Sequence, residues 1–275
     1  MAWITRGLRR GVLTTDYPSR PDPYADDFHG GIDVRSGTKI NSSRPMPNCP
    51  TGAIRRGSDG APLVDRGRCI LCGRCVAEQP ERFGWARGSE VAAAARDQLV
   101  VPRPVVEDVE SVRSKLAART RQFRRSLHIR HVDCGSDGSE EWEISALLNP
   151  VYDIHRLGFF FTVSPRHADL LMITGAGARS MLEPLRRTME ATARPWVVMA
   201  VGTDAVSGGM ITPASPSSGD QHLVVQGDPT DAVLGGLGDA LPVDVWVPGS
   251  PPSPFMILSG LLLAVGRLPK NSGRR

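Results

Sequence analysis

The sequence predicts an α/β protein whose second half is a parallel sheet with interleaved helices, preceded by a loop-rich unit that carries most of the cysteines. Short β-rich apolar runs alternate with a helical segment after about residue 127, cysteines cluster between residues 49 and 75, and charge divides the chain in two. A length of 275 residues allows one large or two modest domains with ample surface to bury. Gly and Pro together make up 52 residues, which predicts long irregular stretches without leaving the range of foldable chains.

In chain order, the first 65 or so residues are rich in Pro, Gly, Ser, Asp and Arg, as at Pro18, Pro21, Pro23 and Ser42-Ser43-Arg44-Pro45. They show no sustained period and read as extended arm and loop. From Val105 to Ser126 charge and propensity predict a connecting helix. Then come the apolar runs Phe159–Val163, Leu170–Thr174, Trp196–Val201 and Val243–Val247. Between the second and third, Met181, Leu182, Leu185 and Met189 recur at helical spacing within Arg179–Thr192. Strand, helix, strand at this rhythm places chemistry in the loops beyond the carboxyl ends, Gly202–Gly209 and Gly249–Pro252. The divisions expected are 1–104, a helical linker at 105–127, and 128–275.

Five cysteines in a chain this long do not form a small secreted disulfide framework. The Arg9-Arg10 pair is followed only by Gly11, Val12 and Leu13 before Thr14, Thr15 and Asp16, too little for an export signal. The apolar run Phe255–Val265 is much shorter than the roughly 20 residues of a membrane span. A cytoplasmic chain with reduced thiols is expected.

Residues 1–130 hold 23 Lys+Arg and 14 Asp+Glu, and residues 131–275 hold 10 and 15. The arginines of the basic half are scattered and aromatic residues are only 5% of the chain, so a stacking platform for single strands is poorly supported. No nucleic acid partner is expected, and salt-dependent duplex binding is the cheap test. Docking on acidic neighbours or near anionic headgroups stands beside a merely solvated surface.

Cys69-Ile-Leu-Cys72-Gly-Arg-Cys75 has the C-x2-C-x2-C spacing that lets one loop wrap three corners of a cubane cluster, and Cys49-Pro50 supplies a separate Cys-Pro. In a two-cluster ferredoxin each motif continues to a fourth cysteine that serves the other motif's cluster. Counting back from Cys49, the first three positions are Lys39, Ser42 and Pro45; counting on from Cys75, the fourth is Gln79. The four losses make up one complete ligand set and the four survivors the other. Cys49, Cys69, Cys72 and Cys75 are therefore assigned one [4Fe-4S] cluster. Zinc is the competing reading, but its usual format is two C-x2-C pairs. The region resembles the ferredoxin-like subunit of membrane-bound hydrogenases and complex I, as does Gly11–Pro18. That resemblance implies an α+β half-ferredoxin.

Residues 128–265 resemble the B subunit of complex I and the small subunit of group 4 membrane-bound nickel-iron hydrogenases, including formate hydrogenlyase. The resemblance rests above all on Asn149–Asp153, Ser164–Asp169 and Pro248–Pro252. It implies a flavodoxin-like parallel-sheet domain, an electron-transfer role, and partners of two kinds: a hydrogenase-large-subunit-like or complex I D-like protein, and membrane-arm subunits. It also implies a peripheral position on the cytoplasmic face of the inner membrane. In that family four cysteines hold the cluster that delivers electrons to quinone or nickel-iron, and the matching positions here are Asp137, Glu140, Asp204 and Ser250. Such clusters are held by Cys with occasional His, so the terminal cluster should be missing. Cys134 falls nearby but off the pattern and reads as a buried or free thiol. Asp137, Glu140 and Asp204 either converge on a hard cation such as Mg2+ or fill the space, solvated or paired with arginines such as Arg166. Arg166 and His167 either face a partner's active site or fix their loop. No P-loop, dinucleotide fingerprint or Ser-His-Asp arrangement is present, and no independent active site is visible. An electron-transfer subunit and a non-redox scaffold are the two functions that remain.

Overall fold

The structure, a computed structural model, describes residues 2–35, 45–102, 109–212, 232–238 and 240–268. From the amino end its elements are α1 (Ala2–Arg10), β1 (His29–Val34), β2 (Ile54–Arg56), β3 (Pro62–Asp65), α2 (Arg74–Glu78), β4 (Phe83–Arg87), β5 (Val100–Val101) and α3 (Val109–Arg119). They continue with β6 (Leu127–Asp133), α4 (Ser139–Ala146), β7 (Phe159–Phe161), β8 (Leu170–Thr174), α5 (Leu182–Ala191), β9 (Val197–Val201), α6 (Thr203–Ser207), β10 (Val245–Val247) and α7 (Pro254–Ala264).

The last five strands form one parallel sheet in the order β10-β9-β8-β6-β7. Read from its β7 edge this is 2-1-3-4-5, the flavodoxin-like order, and the predicted α/β class holds. β8 and β9 are buried along their whole length, because helices cover both faces; a strand buried on both sides reads as a continuous apolar run. The period of two divides its side chains. Leu170, Met172, Val197, Met199 and Val247 face α7, with Ile144 and Leu116. Leu171, Ile173, Val198, Ala200 and Trp246 face Leu185 of α5 and Val206 of α6.

The apolar run too short to span a membrane is α7, buried from Pro254 to Ala264. Ser253 caps it by accepting the Met256 amide at 3.4 Å. Gly260 lets the helix close on the sheet: a Cβ there would lie 2.6 Å from Val247 Cγ2 and 2.9 Å from Met199 Cε.

The first 65 residues are more regular than their composition predicts. β1 pairs antiparallel with β4, and β2, β3 and β5 form a second small antiparallel sheet. These strands are short, one carries Gly30-Gly31, and their partners lie up to 58 residues away in register pairs such as His29↔Arg87. β1–β4 and β3–β5 pair across the fold and β2–β3 is a short hairpin, so no sustained local period reports them. The connecting helix is shorter than Val105–Ser126: α3 ends at Arg119, and residues 105–108 lie outside the described residues. Leu116 of α3 enters the core against α7, and Arg119 pairs with Asp244. The amino-terminal segments share that core. Tyr17 meets Phe255 edge-on at 5.5 Å, and Ala93 bridges to Trp246.

Candidate functional site

Cys69 and Cys72 lie on the turn from β3 into α2, Cys75 in the first turn of α2, and Cys49 on the loop before β2. The four line one cavity with Ile32, Pro50, Ala53, Ile54 and Val64, which give it apolar walls. The turn is tight because Leu71 and Gly73 both adopt left-handed backbone, at φ of 57° and 70°. For Leu71 this is a strained state that the surrounding structure must hold. The Ala53 amide donates to Cys49 Sγ at 3.3 Å, and the amides of Leu71 and Val76 donate to the sulfurs of Cys69 and Cys75. Cys69 and Cys75 are buried and Cys72 is exposed. Burial pushes the Cys69 thiol up to about 12, with the neighbouring thiols Cys49, Cys75 and Cys72 adding to it, and burial pushes Cys75 up to about 11. Such thiols are inert alone; bound iron reverses that preference by stabilising the thiolates.

The residues fit a four-iron cluster. Two chain segments bring four sulfurs to one apolar cavity, and amides point at three of them. Among the described residues no three or more His, Cys, Asp or Glu gather closely enough to hold a single metal ion.

Among the described residues, two of the positions that a second ferredoxin cluster would need are occupied by other contacts. Gln79 Nε2 donates to the Pro45 carbonyl at 3.1 Å, so two of the four emptied positions bond to each other. The Arg82 guanidinium donates to Gln79 Oε1 at 2.7 Å and to Met46 Sδ at 3.4 Å. Gln79 and Arg82 are only 6% and 5% exposed, so this network fills buried space. Lys39 and Ser42 lie outside the described residues.

Asp137, Glu140, Asp204 and Ser250 all follow the carboxyl ends of strands: the first two after β6, then after β9 and β10. Asp137 is exposed and held below the usual carboxylate range by the Ser139 hydroxyl and amide, at 2.6 and 2.9 Å. Glu140 is 2% exposed and packs over Gly202, whose missing side chain leaves room for its carboxyl. Burial, then the charges of Asp204 and Asp137, push Glu140 up to about 7. Burial and Asp137 raise Asp204 as well. The three carboxylates thus face one another, without the close donor group that a single metal ion needs. Ser250 is exposed in its turn. Arg166 does not pair with the carboxylates: it precedes β8, at the opposite edge of the parallel sheet, and so does His167. Cys134 is buried at 1% exposure, among Leu171, Ile173 and Ala205, and its thiol is pushed up to about 11 by that burial.

Two features had no signal in the sequence. Thr203, fully buried at the start of α6, donates from Oγ1 to the Cys69 carbonyl at 3.2 Å and accepts the Gly249 amide at 3.3 Å. It ties the cysteine loop to the edge where Asp204 and Ser250 stand. At the ends of β6 and β8, Glu141 accepts from Thr174 Oγ1 at 2.6 Å and Ser136 Oγ at 2.9 Å, with His131 Nε2 3.0 Å from the same threonine. Both contacts of His131 run through one ring nitrogen, so this is a bracing network and lacks the relay of a nucleophilic triad.

A flavodoxin-like sheet with a cysteine-lined cavity tied to the carboxyl ends of its strands defines the class: a parallel α/β protein with a small thiol-bearing unit at the end of the sheet where such folds place their sites. Residues 137–264 match the family model described as NADH ubiquinone oxidoreductase, 20 Kd subunit. Formate hydrogenlyase subunit 7 of Escherichia coli is 35% identical over 173 residues, covering 63% of this chain and 61% of that protein. A probable membrane-bound hydrogenase subunit, mbhJ, of Pyrococcus furiosus is 37% identical over 164 residues, covering 58% of this chain and 89% of that protein. The B subunit of the NADH-quinone oxidoreductase of Citrifermentans bemidjiense is 38% identical over 111 residues, or 40% of this chain and 55% of the relative. The chain thus spans less than two thirds of the length of the first and third of these relatives. It belongs to this 20 kDa subunit family.

Proposed function

We propose that the chain is an iron-sulfur electron-transfer subunit of a membrane-associated oxidoreductase complex related to complex I and group 4 hydrogenases. It divides into an arm and half-ferredoxin (1–104), a helical linker (105–127) and a B-subunit-like domain (128–275). Cys49, Cys69, Cys72 and Cys75 hold one [4Fe-4S] cluster, and the convergence of these four thiols on one cavity carries the reading. The cluster, when bound, accepts and returns single electrons. The protein tunes that exchange through the amides of Ala53, Leu71 and Val76, which stabilise negative charge on sulfur, and through the apolar walls, which oppose it.

The family's terminal cluster is absent on this reading, because Asp137, Glu140, Asp204 and Ser250 stand at its ligand positions. Electrons then pass through the half-ferredoxin to or from another subunit, and the sheet domain docks between a hydrogenase-large-subunit-like or complex I D-like partner and the membrane arm. The chain sits peripherally on the cytoplasmic face. The Thr203 bond to the Cys69 carbonyl favours a second reading, in which the cluster pins the basic arm to the sheet and carries no current.

Anaerobic purification with iron and acid-labile sulfide counted per chain tests both. About four irons, and one S = 1/2 signal on dithionite reduction that Cys72→Ser removes, are expected. Zinc with no iron sinks both readings; about eight irons would put a cluster in the sheet domain after all. A reduction potential in the physiological range selects the relay, and one far below it selects the scaffold.

A further inference from the structure

α1 (Ala2–Arg10, AWITRGLRR) exposes every side chain from Trp3 to Arg10. Trp3 is 76% exposed, Leu8 80% and Ile4 44%, large apolar groups that a water-soluble surface rarely presents together. At roughly 100° per residue, Trp3, Gly7, Ile4 and Leu8 share one arc of about 140°, and Thr5, Arg9, Arg6 and Arg10 share the opposite one. The helix carries no acidic residue. Val12 and Leu13 extend the exposed apolar surface, and then the chain is fixed: Thr14 Oγ1 donates to the Pro150 carbonyl at 2.6 Å and the Thr15 amide to the Val151 carbonyl at 3.0 Å.

Nine residues make a helix about 14 Å long, far short of a bilayer's roughly 30 Å apolar core. Isolated helices of this length are marginal in water, so an outside apolar phase must cover the arc to keep it formed. We infer that α1 lies flat in the headgroup layer of an anionic bilayer, with Trp3, Ile4 and Leu8 immersed and Arg6, Arg9 and Arg10 on lipid phosphates. The chemistry favours lipid over a protein groove. A groove is recognised through a few polar pairs at set points, whereas here three of the four residues on the polar arc are arginines and none is acidic, as a plane of negative charge requires. The aromatic ring at one end suits the apolar-to-wet boundary, and the arginine stems reach from one layer to the other. The inference deepens the proposed peripheral attachment by naming its device, and it does not depend on the cluster.

The test uses the purified full chain with vesicles of phosphatidylcholine, alone or with about a third phosphatidylglycerol. Flotation should show binding about 100-fold tighter to the anionic vesicles, the effect expected of three surface arginines, and loss of that preference near 1 M salt. Leu8→Asp should weaken anionic binding at least tenfold, and Arg6→Gln with Arg9→Gln and Arg10→Gln should abolish the lipid preference. Because α1 stands outside the cores, both variants should keep the parent's melting temperature. The emission difference between the parent and Trp3→Phe should shift blue on binding. No vesicle binding, equal binding by Leu8→Asp, or a helix whose substitution releases another subunit and leaves vesicle binding unchanged overturns the inference. Iron counted on the same samples separates the two claims: vesicle binding without iron sinks only the cluster, and iron without vesicle binding sinks only the membrane helix.

Discussion

A carboxylate buried beside two others is costly, and Glu140 shows which way the cost runs. Its proton is held more tightly in the folded chain, about 7 against an ordinary 4.5, because burial penalises the charge before Asp204 and Asp137 repel it. Below about pH 4.5 the group is neutral folded and unfolded and imposes nothing. As pH rises from 4.5 to 7 the unfolded chain ionises first, so folding stability falls; above 7 the loss is constant at about 3 kcal/mol. Glu140→Gln keeps the shape and removes the charge. It should stabilise the protein by about that amount at pH 8 and by little at pH 4.5, measured as the difference in urea midpoints between the two chains. An equal effect at both pH values would mean that the carboxyl is solvated.

α7 reverses the ordinary rule for glycine at the scale of an element. Replacing a helix-interior glycine by alanine usually gains up to about 1 kcal/mol. At Gly260 the new methyl would strike Val247 Cγ2, a stiff β-branched group on a fully buried strand, and Met199 Cε, a flexible one. Overpacking of this kind costs roughly 1 to 3 kcal/mol, so Gly260→Ala should lower the melting temperature despite its better propensity. An unchanged or higher melting temperature would show that Met199 yields.

The same elements explain what the sequence could disclose. β8 and β9 announced themselves as apolar runs because both their faces are covered. The Met181–Met189 spacing marked α5 because only one of its faces is covered, by Leu185 and its neighbours. Motif spacing singled out four cysteines that share a cavity, and counting pointed to Pro45 and Gln79, which meet in the structure. By contrast, β1 and β5 pair with strands far along the chain, and β2 and β3 form a hairpin of three and four residues, too short to show a period of its own. Thr203 was invisible for a related reason: a threonine's two hydrogen bonds, one to residue 69 and one to residue 249, leave no local trace.

On the scale of the whole molecule, the two halves hold together by different means. The parallel sheet has two apolar cores, with α7 buried in one and α5 and α6 against the other. The cysteine-bearing part has one small core, built from Ile32, Ala53, Ile54, Val64 and Phe83 together with Cys69 and Cys75. Two of those seven residues are thiols proposed to face iron, so a large share of that core rests on the metal. Its other supports cross to the sheet half: the Thr203 bond to Cys69, the Ala93 bridge to Trp246, and Ser259 Oγ donating to the Ser89 carbonyl at 3.4 Å. Stability should therefore divide unevenly when iron is removed. Chelation under reducing conditions, followed by amide hydrogen exchange, should strip protection from β2, β3 and residues 66–75 while β6, β8 and β9 exchange as slowly as before. Trp246 and its bridge to Ala93 mark the boundary, since they belong to the sheet core and need no thiol. If the parallel sheet lost protection together with the cysteine loop, the Thr203 tie would transmit more than local order, and the cluster would be a keystone of the entire chain.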